Sequence, residues 1–396
     1  MPYQHEGFIL NYITAHANDE HPELAARHII DQLSAVCATA PSLLLLYFSC
    51  QYDGEVLRTA LCQHFPTTPL MGCTSYQTVQ SEQGASHGIA VAAFYDEQGS
   101  YGVAGGAGPD ADVRQLLRQA MAACGRPGEL PHLVLLHTSP GGEESLLAQI
   151  DAELGSTVPV IGGSAADNSL TGEWQLCWQQ QTMHDGIVLA VFYPDCELVF
   201  QFHSGYMPTS NRGTITEVDG REVVTLDGRP AGDVYQQWLG RALEEGPILF
   251  ETTLYPLARQ VGEMYGMPYF KLSHPEAITE RRGLRLFTDV APGETLTLMQ
   301  GSELGLLQRS LQAARIEPDY GMPQDLYPLG ALIVFCAGCR LALSERVDDI
   351  ASQFNERLGG VPYIMPFTFG EQGRLPQGEL AHGNLMISSV IFCKGR

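Results

Sequence analysis

The apolar run Leu43–Phe48 breaks off at Ser49 and Cys50, and the same break recurs at Thr138 and Ser139 and again at Cys336-Ala337-Gly338. A second series of short apolar runs ends in Gly72-Cys73-Thr74-Ser75, in Gly162-Gly163-Ser164 with Asp167 close behind, and in Thr368-Phe369-Gly370-Glu371. Small and hydroxyl groups at the carboxyl end of a buried strand, just ahead of a helix, are the place where open α/β sheets hold ligands. The chemistry on offer is recognition of a small polar molecule. Backbone N–H groups behind Cys50 and Ser139, with the hydroxyls of Thr74, Ser75 and Ser164, suit a carboxylate, and Asp167, in preference to Glu371, suits an ammonium. The plainer alternative is that strand-to-helix turns need small residues and that both acids cap loops.

Other chemistry is weaker. Cys336-Ala-Gly-Cys339 has redox or zinc spacing, but zinc needs four ligands and no second CxxC or HxxxH accompanies it. Gly106 to Ala111 fits a dinucleotide-binding glycine pattern, yet the strand that follows ends in Thr138 and offers no ribose-binding carboxylate. That stretch reads instead as a turn and an N-cap for a helix over Val113 to Ala123. No G-x-S-x-G elbow is present, so an enzyme, with His382 and Asp167 as its first residues to test, stands only as an alternative. Of the twelve histidines, His137, His203 and His382 are candidate axial ligands for a haem, each with a structural, hydrogen-bonded role as the plainer reading.

The elements that must position these residues repeat. Residues 133–163 lie over residues 43–73 as strand, helix, strand, and each copy adds an Xaa-Gly strand start at Gly88 and Gly186. A third copy runs from Ala331 through a helical 344–358 to Gly383 and the strand beyond, and a proline opens the second strand each time, at Pro69, Pro159 and Pro362. Apolar strands alternating with helices predict an α/β fold of mostly parallel sheets built from three β-α-β-β units, at about 43–95, 133–193 and 330–393. A hairpin-rich stretch, 205–329, precedes the third unit, with hairpins expected at 213–228 and 284–300 and a helix capped by Ser302. The domain boundary is placed near Ser204-Gly205, giving segments 1–204 and 205–396.

The 396 residues carry 45 acidic against 22 basic side chains, a net charge of −23 that repels nucleic acid and anionic membrane surfaces. No apolar run reaches the ~20 residues that span a bilayer, and the first residues lack a basic n-region. These features, with ten cysteines read as reduced thiols, predict a cytoplasmic protein.

"GGSAADN", "LDGRPAGDVY", "GALIVFCAGCRLALSER", "PFTFGEQG" and the closing "HGN" resemble the FIST family over nearly the whole chain, a FIST N domain followed by a FIST C domain. The resemblance implies an intracellular sensory module for a small ligand such as an amino acid, which signals through a partner protein. A haem-binding, nitric-oxide-sensing bacterial branch that acts with a histidine kinase is the alternative it implies. Arg340, Glu371 and His382 fall in the resembling segments and join the ligand-binding candidates. Arg340 departs from the family pattern, which would place arginine directly after Gly338, and His382-Gly383-Asn384 stands where His-Asn would be expected.

Overall fold

The computed structural model describes residues 10–81, 84–264, 266–316, 325–343, 346–375 and 378–395. Local signals set the helices. Asp53 accepts from the backbone N–H groups of Glu55 and Val56 at the start of Gly54–His64, and Asp112, rather than Asp110, caps Val113–Ala123. Ser302 caps Glu303–Ser310 through Gly305. In the third unit the described helix is Val347–Arg357, while residues 344–345 lie outside the described residues.

Each repeat unit builds its own six-stranded sheet. In the first, Leu43–Phe48 runs parallel to Leu70–Thr74 and antiparallel to Ile89–Tyr95, and Asn11–Ala17 closes that edge. The second repeats this with Leu133–Thr138, Val160–Ser164, Gly186–Tyr193 and the edge strand Ser100–Ala107. The third uses Leu326–Cys336, Tyr363–Thr368, Met386–Gly395 and the edge strand Glu197–Ser204. The expectation of mostly parallel sheets is therefore only partly met. Each sheet holds a single parallel pair, because just one helical crossover occurs per unit and the third strand returns by a loop, which sets it antiparallel.

The other edge of every sheet is filled from elsewhere. The hairpin Thr78–Gln80/Gly84–Ser86 of the first unit pairs with the third sheet. The hairpin Leu176–Trp178/Gln181–Met183 of the second joins the first sheet. The hairpin Glu371–Arg374/Leu380–Gly383 of the third joins the second sheet. Three backbone bonds repeat the exchange, Tyr76 N–H to Phe367 O, Ala166 N–H to Thr74 O and Phe369 N–H to Ser164 O, at 3.0 Å each. The three sheets thus surround a common axis, approximately threefold.

The core on that axis draws on all three units. Phe94, Phe192 and Phe392, at matching positions on the three returning strands, form a triangle with ring centroids 5.7, 5.1 and 6.4 Å apart. Tyr12 packs across Gly330, where a Cβ would come within 2.4 Å of its ring, so that position demands glycine.

A fourth, nine-stranded sheet follows Ser204. The hairpin expected at 213–228 forms between Met207–Asp219 and Glu222–Leu226. The one expected at 284–300 does not. Leu284–Leu286 pairs with Glu222–Leu226, and Thr295–Gln300 pairs with Met207–Asp219, so the earlier hairpin lies between them. The Pro-Gly turn there joins two strands that lie apart in one sheet. No described helix is long and apolar enough to cross a membrane.

Candidate functional site

The three strand-end clusters differ in what they leave available. At the first sheet, Ser49 is buried and its Oγ accepts from Asn168 Nδ2 at 3.2 Å, while Cys50 beside it is partly exposed. Gly72 lies against the neighbouring strand, where a Cβ would come 1.8 Å from Leu46 O, and Cys73 is core. Thr74 Oγ1 accepts from Gln175 N–H at 2.9 Å, and Ser75 Oγ accepts from Phe367 N–H at 2.8 Å. Asp167 is fully buried, and its two carboxylate oxygens accept from the backbone N–H groups of Ser169, Leu170, Thr171, Gly172 and Glu173. With both oxygens committed to the loop, Asp167 anchors residues 169–173 and does not await an ammonium.

Just past the end of the third sheet's strand Tyr363–Thr368, where the donated hairpin begins, Glu371 is fully buried, its oxygens accepting from Thr368 Oγ1 at 3.0 Å and Met386 N–H at 3.2 Å. Burial, and then the Cys336 thiol beside it, raise its pKa well above the usual carboxylate range, which favours the protonated acid. Cys336 and Cys339 are both buried, with Tyr206 Oη 4.0 Å from Cys339 Sγ. Burial also pushes the Cys336 thiol up, which leaves it protonated. Arg340 Nε donates to Gln77 Oε1 at 2.8 Å.

The second sheet carries the densest polar cluster. Thr138 and Ser164 end its two parallel strands with their hydroxyls 3.2 Å apart, and Gln372 of the donated hairpin donates to both, at 2.9 and 3.3 Å. Ser164 Oγ donates to Glu143 Oε1 at 2.9 Å. Ser139 Oγ accepts from Gly186 N–H at 3.0 Å. Gly162 and Gly163 carry the sheet between them, and a Cβ at Gly163 would come 2.4 Å from Thr368 Oγ1.

Glu143 and Glu144 open the helix Glu143–Leu154 and meet residues from two distant segments. Arg221 Nη2, from the tip of the fourth sheet's hairpin, donates to Glu143 at 2.9 Å and Glu144 at 2.7 Å, and its Nε reaches Asp289 at 2.8 Å. His382 of the donated hairpin places Nδ1 3.1 Å from Glu144 and Nε2 3.7 Å from Glu143. Burial opposes charge on His382, but Glu143 and Glu144 outweigh it and raise the imidazole pKa. Burial likewise works against both carboxylates, and His382 and Arg221 reverse it, bringing Glu144 down to about 2. The group sets three acids, Glu143, Glu144 and Asp289, against one guanidinium and one imidazole, and in it Gln372 Oε1 is buried without a partner among the described residues. Glu143, Glu144 and His382 also bring donor atoms within 4.8 Å of one another, the spacing of a cation site, but Arg221 already places a cation between the two carboxylates.

The histidine candidates separate. His137 is fully enclosed, with Nε2 2.9 Å from Tyr47 Oη and Nδ1 2.9 Å from Gly163 O, so both nitrogens are engaged. His382 faces its two carboxylates. His203 has both ring nitrogens shielded from solvent and, among the described residues, no hydrogen-bond partner for either.

Thr138, Ser164 and His382 thus meet in one cluster, with Ser139 at its border, and Glu371 and Gly163 adjoin it. Ser49, Cys50, Gly72, Cys73, Thr74, Ser75 and Asp167 belong to the first sheet's end, and Arg340 to the third. Sequence reasoning missed Glu143, Glu144, Arg221 and Gln372. Nothing in the sequence sets the two glutamates apart from ordinary first-turn acids, or Arg221 from any other residue of the hairpin turn in "VDGREVV".

The chain is 23% identical over 271 residues to an uncharacterized protein of Methanocaldococcus jannaschii, a match covering 63% of this chain and 51% of that protein. The chain therefore spans about half the length of the curated relative it matches. A cyanuric acid hydrolase from A. caulinodans aligns over 98% of this chain and 100% of its own at 10% identity, with a TM-score of 0.39, too distant a likeness to carry any argument about chemistry. The FIST N domain matches residues 42–229 and the FIST C domain residues 231–374. With both domains matched in order along most of its length, the chain belongs to the FIST family, whose domains are ligand-binding modules of sensory signal transduction.

Proposed function

We propose that this protein is a cytoplasmic sensor that binds a small amino-acid ligand at the ends of the second sheet and reports occupancy through a partner protein such as a histidine kinase. One observation carries the reading. Thr138, Ser164, Gln372, Glu143, Glu144 and His382 converge with Arg221, which arrives on a hairpin of the fourth sheet. A guanidinium held between two carboxylates marks a place that accepts a cationic head, and an amino acid's ammonium answers the same charges. A ligand that displaces Arg221 frees the tip of that hairpin, which gives binding a structural consequence. Thermal shift with the standard amino acids tests it. At least one should raise the melting temperature of the parent and fail to do so for Glu144→Gln; a panel without effect on the parent overturns the reading.

His203 favours a second reading, in which the protein senses nitric oxide through haem. It is the histidine candidate with two unengaged nitrogens, and burial holds its pKa down to about 4, so the imidazole is neutral as a ligand must be. Haem reconstitution should give a Soret band that His203→Ala shifts or abolishes. A protein that takes up no haem removes this reading.

A further inference from the structure

We infer that the fourth sheet carries a second ligand site, separate from the strand-end cluster, built to take a small planar carboxylate. A cleft of about 290 Å³ opens between the strand Met207–Asp219, the strand Thr295–Gln300 and the end of the helix Ala231–Leu239. Three features give it a chemistry.

The first is a pair of aromatic faces. Trp238 lies across Gly213, where a Cβ would come 3.3 Å from its ring, so glycine lets the indole lie close on the strand and line the cleft. Tyr255 lines the cleft as well. Flat apolar walls of this kind hold a ring by stacking.

The second is a cation. Gly240 ends the helix in the left-handed conformation, at φ 67°, and turns the chain so that Arg241 comes back over the Tyr255 ring, 5.9 Å from its centroid. Arg241 donates to the Glu251 carbonyl and, among the described residues, pairs with no carboxylate. In a chain of net charge −23, where Arg58, Arg126, Arg259, Arg282 and Arg374 each meet an acid, a guanidinium left without one at a cleft is available to an incoming anion.

The third is unspent polarity at the other wall. The register of Met207–Asp219 against Thr295–Gln300 shifts between Pro208 and Arg212, and there Thr209 Oγ1 donates to Leu298 O at 2.8 Å while accepting from Asn211 N–H at 3.2 Å. Asn211 and Gln300 both line the cleft there, and among the described residues neither side-chain amide has a hydrogen-bond partner. Two amides can read donors and acceptors on a ring edge. An arginine for the carboxylate, two aromatic walls and two amides together fit a planar, ring-bearing acid better than an aliphatic or a cationic ligand.

The probes are benzoate, nicotinate and orotate, with nicotinamide as the uncharged counterpart of nicotinate. Titration followed by tryptophan fluorescence should show at least one of the three acids quenching Trp238, and nicotinate binding about tenfold more tightly than nicotinamide. Arg241→Gln, at an exposed position, should melt as the parent does and lose that tenfold preference. Trp238→Phe should keep calorimetric binding and lose the fluorescence change. The inference is overturned if none of the acids binds by about 10 mM, the weak end of specific affinity, if Arg241→Gln binds nicotinate as the parent does, or if the quench persists in Trp238→Phe. These variants touch no residue of the strand-end cluster, so the two sites stand or fall separately.

Discussion

The Tyr47 hydroxyl lies 2.9 Å from His137 Nε2, and His137 Nδ1 lies 2.9 Å from the Gly163 carbonyl, a chain that ties the first sheet to the second across the central core. A carbonyl only accepts, so Nδ1 carries the proton and Nε2 accepts from Tyr47. Tyr47→Phe leaves Nε2 buried without a donor and should cost about 1–3 kcal/mol in urea denaturation. Nitrogen chemical shifts of His137 should report Nδ1 protonated in the parent at neutral pH.

Three histidines are held neutral by burial. His137, His203 and His274 are each brought down to about 4 from the ordinary 6.5. A histidine whose folded pKa is depressed contributes stability above its unfolded value and loses it as the pH falls toward the folded one. Each should remove up to about 3 kcal/mol between pH 6.5 and 4. His382 has the opposite sign, since its raised pKa adds stability below about 6.5 that is lost as the pH climbs through the folded value. Denaturation midpoints against pH should therefore fall on the acid side, and His274→Asn should make that fall shallower.

Glu371 sets the alkaline side. A carboxyl whose pKa is raised on folding binds a proton that the unfolded chain has released, so stability declines as the pH rises above the ordinary carboxylate value toward the folded one. Glu371→Gln keeps the shape and carries no proton to lose. It should match the parent in mild acid and exceed it at pH 8, as melting temperatures would show.

Arg221 neutralises two acids that are largely out of solvent. Arg221→Ala should destabilise by about 3 kcal/mol, at the low end for a broken buried pair because the guanidinium is one-fifth exposed. Adding Glu144→Gln should restore part of that loss. A double-mutant cycle that comes out additive would mean the two side chains do not communicate.

Asp167→Asn replaces an acceptor of five N–H groups by a side chain with one acceptor and one donor end. It should loosen residues 169–173, seen as faster proteolysis there and about 2 kcal/mol of lost stability, with ligand affinity unchanged.

The sequence shows some of this directly. The three units are legible because each main strand is a self-contained apolar run followed by a helical stretch, which in the first unit carries its own cap in Asp53. The hairpin exchange is not, because strands such as Thr78–Gln80 and Leu176–Trp178 are three residues long and choose partners far away in the chain. Thr138, Ser164 and His382 were legible as strand-end or strand-start residues. Asp167 and Glu371 could not be told apart from ligand carboxylates until their surroundings were known, since a carboxylate in a loop and one in a pocket look alike in sequence. Arg221 matters through contact with residues 77 and 78 positions away, which no local pattern encodes.

The traded hairpins make the three units interlocked rather than stacked. Any unit cut out alone would show a bare sheet edge on one side and wave an orphan hairpin on the other, and the natural cover for both is another copy of itself. Isolated units should therefore assemble into rings or run on into open chains, so a gene fragment of one unit would report the ancestry of the fold by the oligomer it forms.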